Sequence, residues 1–171
     1  MRKFILPILA LVAVLAMAAV AVGGNDSTSR PASKAPKKNI VETAVGAGKF
    51  DTLVSLVQSS GLAETLSGKG PYTVFAPTDR AFEKVPAETL KALGNDRKAL
   101  RRVLLYHVAD GRYSAARVAS KRSIPTLAGP RVQVQVRKGG VRVGGARVVM
   151  PNVRASNGVI HAINRVLIPP K

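Results

Sequence analysis

The stretch that most constrains the fold of this chain is residues 72–82, Tyr-Thr-Val-Phe-Ala-Pro-Thr-Asp-Arg-Ala-Phe. Its first four residues are β-branched or aromatic, which is typical of a buried strand. Pro77 has no backbone N–H to donate, so the strand is predicted to end there. Thr78 can cap a new helix, and Asp79 places a negative charge at the positive end of that helix. We therefore predict a strand that becomes a helix within two residues. An exposed recognition patch at Asp79 and Arg80 is the alternative interpretation.

Apolar periodicity divides the rest of the sequence into a helical first half and a strand-rich second half. Asn39 and Glu42 form a capping-box pattern, which predicts a first helix that stops at the glycines after it. From residue 123 the helical spacing gives way to alternation, which is strict in residues 131–137. A later strand is predicted to end around Pro151. Helices followed by strands predict an α+β domain in which the strand at residue 72 joins the late sheet.

The first 38 residues do not have the pattern of a globular domain. Residues 1–22 combine a basic start with an apolar run that contains Ala-x-Ala cleavage patterns, which indicates a secretory signal peptide. The run is also long enough to cross a bilayer, so an uncleaved anchor is the alternative. Residues 23–38 have no core-forming side chain, which predicts a flexible linker. Residues 39–170 are then the domain of a secreted, extracellular or periplasmic protein, tethered to the membrane if the leader is retained.

Positive charge is concentrated in the second half of the chain. The net charge of the whole chain is +18. Residues 39–96 hold 5 basic and 7 acidic residues, whereas residues 97–171 hold 16 basic residues and one acid, Asp110. Such an asymmetry predicts an anionic partner or surface. A solvated basic face without a partner is the alternative.

Three arginines place this charge on the predicted sheet. Arg131 and Arg137 share one strand face because their spacing is even, and Arg142 lies on the next strand. Arginine binds carboxylate or phosphate groups through two parallel hydrogen bonds, so acidic polymers or the head groups of a membrane surface are the predicted partners. Specific nucleic-acid binding is not predicted, because single-strand binders stack bases on aromatic residues. Residues 97–171 contain only two aromatics, both tyrosines.

Four stretches, in order and at matching spacing, resemble the fasciclin (FAS1) domain family. They are residues 72–82, Leu-Tyr-His-Val at 105–108, Thr-Leu-Ala-Gly at 126–129 with the hairpin after it, and Asn-Gly-Val-Ile-His-Ala-Ile-Asn-Arg-Val-Leu-Ile-Pro at 157–169. The resemblance covers residues 39–170. It implies a wedge-like β-sandwich of about seven strands flanked by several helices. It also implies an extracellular adhesion or matrix-type domain that binds cell-surface or matrix proteins and polysaccharides, rather than an enzyme.

The resemblance also bears on single positions. The Tyr-His region of animal members has been linked to integrin contact, which implies a binding role for Tyr106 and His107. The alternative is that both side chains fasten a helix to the sheet through hydrogen bonds. His161 is predicted to be a structural hydrogen-bonding residue. The last motif often has Asp where this chain has Asn164, so no charge is expected at that position.

Catalysis and metal binding are poorly supported by the sequence. The two histidines, His107 and His161, each lie in an apolar run, and the chain has no cysteine. Paired carboxylates, a His-x-x-x-His spacing, a phosphate-binding loop and a dinucleotide fingerprint are all absent. We therefore predict neither a cofactor nor turnover chemistry. The second functional hypothesis is a small-ligand carrier of the extracytoplasmic space, with an apolar or anionic molecule in a cleft of the core.

Overall fold

The computed structural model describes residues 36–170, so the predicted leader and most of the predicted linker lie outside the described residues. Helices predominate before residue 107 and strands after it, which confirms the predicted α+β class. The helices are α1 (Ile40–Ala47), α2 (Asp51–Ser59), α3 (Ala63–Ser67), α4 (Asp79–Phe82), α5 (Ala87–Asn95), α6 (Arg97–Tyr106) and α7 (Ala115–Ala119). The strands are β1 (Tyr72–Pro77), β2 (Val108–Asp110), β3 (Ser123–Pro125), β4 (Arg131–Arg137), β5 (Gly140–Val143), β6 (Ala146–Ala155) and β7 (Gly158–Ile163).

The seven strands form one sheet in the order β2-β1-β7-β6-β5-β4-β3. The first strand joins the late sheet as predicted, and it runs parallel to the last, with Tyr72 opposite Gly158 and Pro77 opposite Ile163. Every other neighbouring pair is antiparallel. The strands of the motifs at residues 72–82 and 157–169 therefore lie side by side, and neither is an edge strand of the sheet.

The sheet curls until its two outer strands meet. The backbone N–H of Leu127, just after β3, donates a hydrogen bond to the carbonyl oxygen of Val108 in β2 at 2.8 Å. Ala109 and Thr126 form an isolated antiparallel bridge beside it. The edge strands thus find partners in each other, and the sheet approaches a closed barrel.

Two apolar clusters lie on the two sides of β1 and β7. Val74 and Ile160 belong to the cluster that packs against the helices. Phe75 and Ile163 belong to the second cluster, which fills the inside of the curled sheet together with Val143 and residues of β3, β4 and α7. Both central strands are consequently buried on both faces, which explains why their sequences are continuously apolar rather than alternating.

Local capping fixes two helix starts, the first of them as predicted. The side chain of Asn39 accepts a hydrogen bond from the N–H of Glu42, and the Glu42 carboxylate accepts one from the N–H of Asn39, both at 2.9 Å. Asp96 accepts hydrogen bonds from the backbone N–H groups of Lys98 and Ala99 at 2.9 and 3.1 Å.

Among residues 36–170, no helix combines the length and the apolar character needed to cross a membrane.

The prediction that a strand ends around Pro151 is wrong. β6 continues to Ala155, but its pairing with β7 shifts register twice, between Val148 and Met150 and again between Met150 and Val153. Each shift inserts one extra residue into β6, as a β-bulge does. Pro151 is tolerated inside the strand because it lies within the second irregularity, where the regular hydrogen-bond ladder is already interrupted.

Candidate binding surface

The outer face of β4 carries a row of polar side chains. Val132 and Val134 point into the core, whereas the alternate residues Arg131, Gln133, Gln135 and Arg137 are exposed. The strict alternation of the sequence produces this arrangement, because successive side chains of a strand point to opposite faces. The structure therefore places Arg131 and Arg137 on one face.

Two further arginines share that face. Gln135 of β4 lies directly opposite Arg142 of β5, and Arg142 in turn lies directly opposite Arg147 of β6. Residues directly opposite each other in antiparallel strands project to the same side of the sheet. We call this surface the basic sheet face; it comprises Arg131, Gln133, Gln135, Arg137, Arg142 and Arg147.

The charge of the basic sheet face is not balanced by the strands that form it, since β4, β5 and β6 contain no acidic residue. Within residues 36–170, the one ion pair joins Lys91 and Glu88, which both lie in α5. Arg142 and Arg147 are moreover like charges in directly opposed positions, an arrangement that destabilises an antiparallel pair. An anion bound across the two guanidinium groups would relieve this repulsion.

Tyr106 and His107 lie in the core rather than on a surface. The relative exposure of His107 is 2%, and that of Tyr106 is 7%. Nδ1 of His107 lies 2.8 Å from the carbonyl oxygen of Val103, and Nε2 accepts a hydrogen bond from the N–H of Leu167 at 2.9 Å. His107 thus fastens the end of α6 to the segment after β7, and neither ring is presented to a partner.

Burial governs the protonation of both side chains. Loss of solvent contact lowers the pKa of His107 from 6.5 to about 4, so the imidazole is neutral. Because Nε2 accepts a hydrogen bond, the proton of the neutral ring is on Nδ1, which donates to Val103. Burial also raises the pKa of Tyr106 above its usual value.

His161 connects β7 to two other segments. Its Nε2 donates a hydrogen bond to the carbonyl oxygen of Tyr113 at 2.8 Å, and its Nδ1 accepts one from the N–H of Asn152 at 3.2 Å. The ring stacks on Phe75 with centroids 5.8 Å apart, and burial lowers its pKa. Asn152, a non-glycine residue with a φ of 59°, in turn accepts a hydrogen bond from the N–H of Ala115 at the start of α7. The contacts of His161 hold neighbouring segments of the fold together.

Thr78 and Asp79 differ in part from the prediction. Thr78 occupies the N-cap position of α4, but its side chain makes no capping hydrogen bond. The carboxylate of Asp79 accepts a hydrogen bond from the N–H of Thr52 at 2.9 Å and so caps α2 instead. The N-cap residue of α2 is Phe50, which has no side-chain acceptor, and Asp79 supplies one from across the fold. This hydrogen bond is the main reason that the pKa of Asp79 is lowered.

Asn157 is a residue whose role the sequence did not reveal, because an Asn-Gly pair is the common pattern of a turn. Its Oδ1 accepts a hydrogen bond from the N–H of Ile40 at 2.9 Å. Its Nδ2 donates to the carbonyl oxygens of Leu66 and Gly68, both at 2.7 Å. One buried amide therefore joins the start of α1 to the end of α3. The sequence offered one signal of this role, which is that the Asn-Gly pair stands directly before an apolar run.

The histidines and the acidic side chains are the groups that catalysis or metal binding would use. Every hydrogen-bond partner recorded for His107 and His161 is a backbone group. Within residues 36–170, no three His, Asp or Glu side chains converge as a metal site would require. The candidate for a binding function is therefore the basic sheet face, with its four arginines.

Comparison with known proteins agrees with the fold. The sequence model named Fasciclin domain matches residues 48–169. Protein sll1483 of Synechocystis sp. is 44% identical over 133 residues, which cover 77% of this chain and 73% of that protein. The cell surface glycolipoprotein MPB83 of Mycobacterium bovis is 36% identical over 151 residues, or 88% of this chain and 64% of that protein.

A solved structure has the same architecture. A FAS1 domain pair from the insect cell adhesion molecule Fasciclin I matches with a TM-score of 0.63 at 17% sequence identity, covering 78% of this chain and 52% of that chain. The curled seven-stranded sheet with its early helices is thus the architecture of a FAS1 domain. Together with the sequence matches it confirms the resemblance, and the chain belongs to the fasciclin family.

Proposed function

We propose that this chain is an extracytoplasmic adhesion domain that binds acidic polymers of a matrix or cell envelope through the basic sheet face. The observation that carries the proposal is the opposed pair Arg142 and Arg147, flanked on the same face by Arg131 and Arg137. Bringing unpaired like charges together costs stability, and a repeating anion such as a uronate or phosphate polymer would offset that cost by bridging them.

The relatives support the setting of this function. The relative from Mycobacterium bovis is named as a cell surface glycolipoprotein, and the structural neighbour is an insect cell adhesion molecule. We extend this location and this activity to the present chain, with the predicted leader at residues 1–22 as the export signal. Mass spectrometry of the mature N-terminus tests the leader, since cleavage removes the apolar run and retention leaves it.

The proposed activity is binding through this surface, without turnover. Tyr106 and His107 are not included in the proposed site because their rings are buried. The alternative of a carrier that encloses its ligand in the core is less favoured. The two apolar cavities beside His107 measure about 30 and 70 Å³, whereas small-molecule pockets span about 300–1,000 Å³.

The test is retention on an immobilised sulfated or uronate polysaccharide as the salt concentration is raised. The variant Arg131→Gln, Arg137→Gln, Arg142→Gln removes three charges from the basic sheet face and is expected to elute at much lower salt. A charge-matched control removes three exposed charges of α6 by Arg97→Gln, Lys98→Gln, Arg101→Gln. Equal losses in the two variants would contradict a specific face and would indicate attraction by net charge alone.

A further inference from the structure

An open cleft of about 660 Å³ lies at the carboxyl ends of the two parallel strands β1 and β7. Thr78, the residue after β1, and Asn164, the residue after β7, both line it. The cleft contains none of the residues of the basic sheet face. Its volume falls in the range that holds a small molecule, about 300–1,000 Å³.

The floor of the cleft is apolar because of the first bulge in β6. Val149 and Met150 are consecutive, and yet both line the cleft, together with Ala162 of β7. Successive side chains of a regular strand point to opposite faces, whereas a bulge allows two neighbouring side chains to point to the same side. The register shift between Val148 and Met150 provides that irregularity and leaves Val149 52% exposed.

The rim of the cleft is cationic. Lys49, Arg80 and Lys84 line it and are exposed, and none of them forms an ion pair with another residue in the range 36–170. Asp79 is the one acid among the described residues that line the cleft. Its carboxylate accepts the hydrogen bond from Thr52 and keeps its charge, so three cations and one anion leave the cleft with a net charge of +2.

We propose that this cleft binds a single-chain anionic amphiphile, an acyl chain with a carboxylate or phosphate head group. The chain lies on Val149 and Met150, above the buried Ala162, and removes the apolar surface of these two side chains from water, which is favourable in proportion to the area covered. The head group is held by Arg80 and Lys84, with Lys49 on the same rim. A concave site of this size accepts one molecule, whereas a flat bilayer surface cannot enter it.

The experiment uses the full chain and a fluorescent fatty-acid probe, dansylaminoundecanoate, displaced by laurate, dodecyl phosphate, dodecanol or acetate. Laurate or dodecyl phosphate is expected to displace the probe at concentrations at least tenfold below those of dodecanol, and acetate is expected to displace none. The tighter of the two anions identifies the head group. A dodecanol affinity equal to that of both anions would overturn the proposal.

Variants separate the cleft from the rest of the chain. Arg80→Gln with Lys84→Gln is expected to weaken laurate binding about tenfold, the scale of a lost charge-assisted contact. Val149→Asp is expected to weaken it further, because it places a negative charge on the floor. Arg97→Gln with Lys98→Gln removes the same charge outside both the cleft and the basic sheet face and should change affinity less than twofold. Both double variants contain the same residues 1–35. Any binding of laurate to that part of the chain is therefore equal in the two variants and does not affect the comparison between them. Affinities within twofold of each other for these double variants would overturn the proposal.

Discussion

Nε2 of His107 accepts a hydrogen bond from the backbone N–H of Leu167 at 2.9 Å, and this contact joins the end of α6 to the segment after β7. The bond requires a neutral ring, because a protonated imidazole has no acceptor nitrogen. The packing of the last segment is therefore linked to the protonation of one buried side chain.

Stability is expected to fall as the pH is lowered from about 6.5 towards 4. The pKa of His107 is about 4 in the folded chain and 6.5 when exposed, so the unfolded chain binds more protons in this interval. The integrated loss is about 3 kcal/mol for this residue, and His161 adds a loss of the same sign because its pKa is also lowered. Urea unfolding across this pH range measures the effect. His107→Gln should flatten the curve, and an unchanged slope in that variant would contradict the assignment.

Removing the carboxylate of Asp79 is expected to destabilise α2 rather than α4. Asp79→Ala leaves the N–H of Thr52 without its partner and should cost about 1 kcal/mol, the usual value of a helix cap. Asp79→Asn keeps an oxygen acceptor and should cost less.

The contribution of Asp79 to stability also depends on pH. Since the pKa of Asp79 is lowered in the folded chain, this contribution is present above the ordinary pKa of 3.8 and disappears as the pH falls through the lowered value. Hydrogen exchange at the first turn of α2 locates the loss, and protection there equal to wild type in Asp79→Ala would count against this cap.

Asn157 should be among the least replaceable polar residues of the domain. Asn157→Asp retains the acceptor for Ile40 but turns a carboxylate oxygen towards the carbonyls of Leu66 and Gly68. We expect a loss of more than about 3 kcal/mol in chemical denaturation, because several buried groups lose their partners at once. Asn164→Asp is the control, since the Asn164 side chain is recorded only as an acceptor, from the N–H of Arg147 at 2.8 Å. Equal losses in the two variants would refute the role of the Asn157 amide group.

Gly158→Ala is expected to disrupt the central strand pair. A Cβ at this position would overlap the carbonyl oxygen of Tyr72 and lie 2.7 Å from Cδ1 of Ile40. Gly94→Ala is the matched control, because a Cβ there meets no atom within 4 Å and the site is helical. That change should stabilise the chain by about 0.5–1 kcal/mol. Thermal melts of the two variants compare them directly, and a Gly158→Ala variant as stable as wild type would show that β1 and β7 can separate without cost.

Relief of the repulsion between Arg142 and Arg147 should be measurable without any ligand. Arg147→Thr is expected to stabilise the chain by about 0.2–1 kcal/mol at low salt, and by less at high salt, where the charges are screened. Arg154→Thr removes the same charge from the same strand, but Arg154 lies opposite Val159 and should show no such gain. A gain of equal size in both variants would mean that total charge, and not this cross-strand pair, is responsible.

The features that the sequence predicted are those that short-range patterns encode. The capping box at Asn39, the strand that begins at Tyr72 and the alternation of residues 131–137 each depend on neighbours a few positions away. These patterns also placed Arg131 and Arg137 on one face. The helix α7 and the strand β2 escaped prediction because each is too short to establish a period.

The remaining features depend on residues far apart in the sequence. Asp79 lies in the first turn of α4 but caps α2, because the fold brings Thr52 to it. Asn157 has the pattern of a turn, and its three partners lie in the first helices. The bulges of β6 are set by its pairing with β7, so the cleft at Val149 could not be read from β6 alone.

The parallel pairing of β1 with β7 has a consequence for the order of events in synthesis. β1 emerges from the ribosome well before its neighbour, and its backbone groups have no sheet partner on that side until the final strand is made. The nascent polypeptide therefore cannot complete this strand pair until the last strand has been translated, and any fragment that stops before Gly158 lacks the strand that joins β1 to β6.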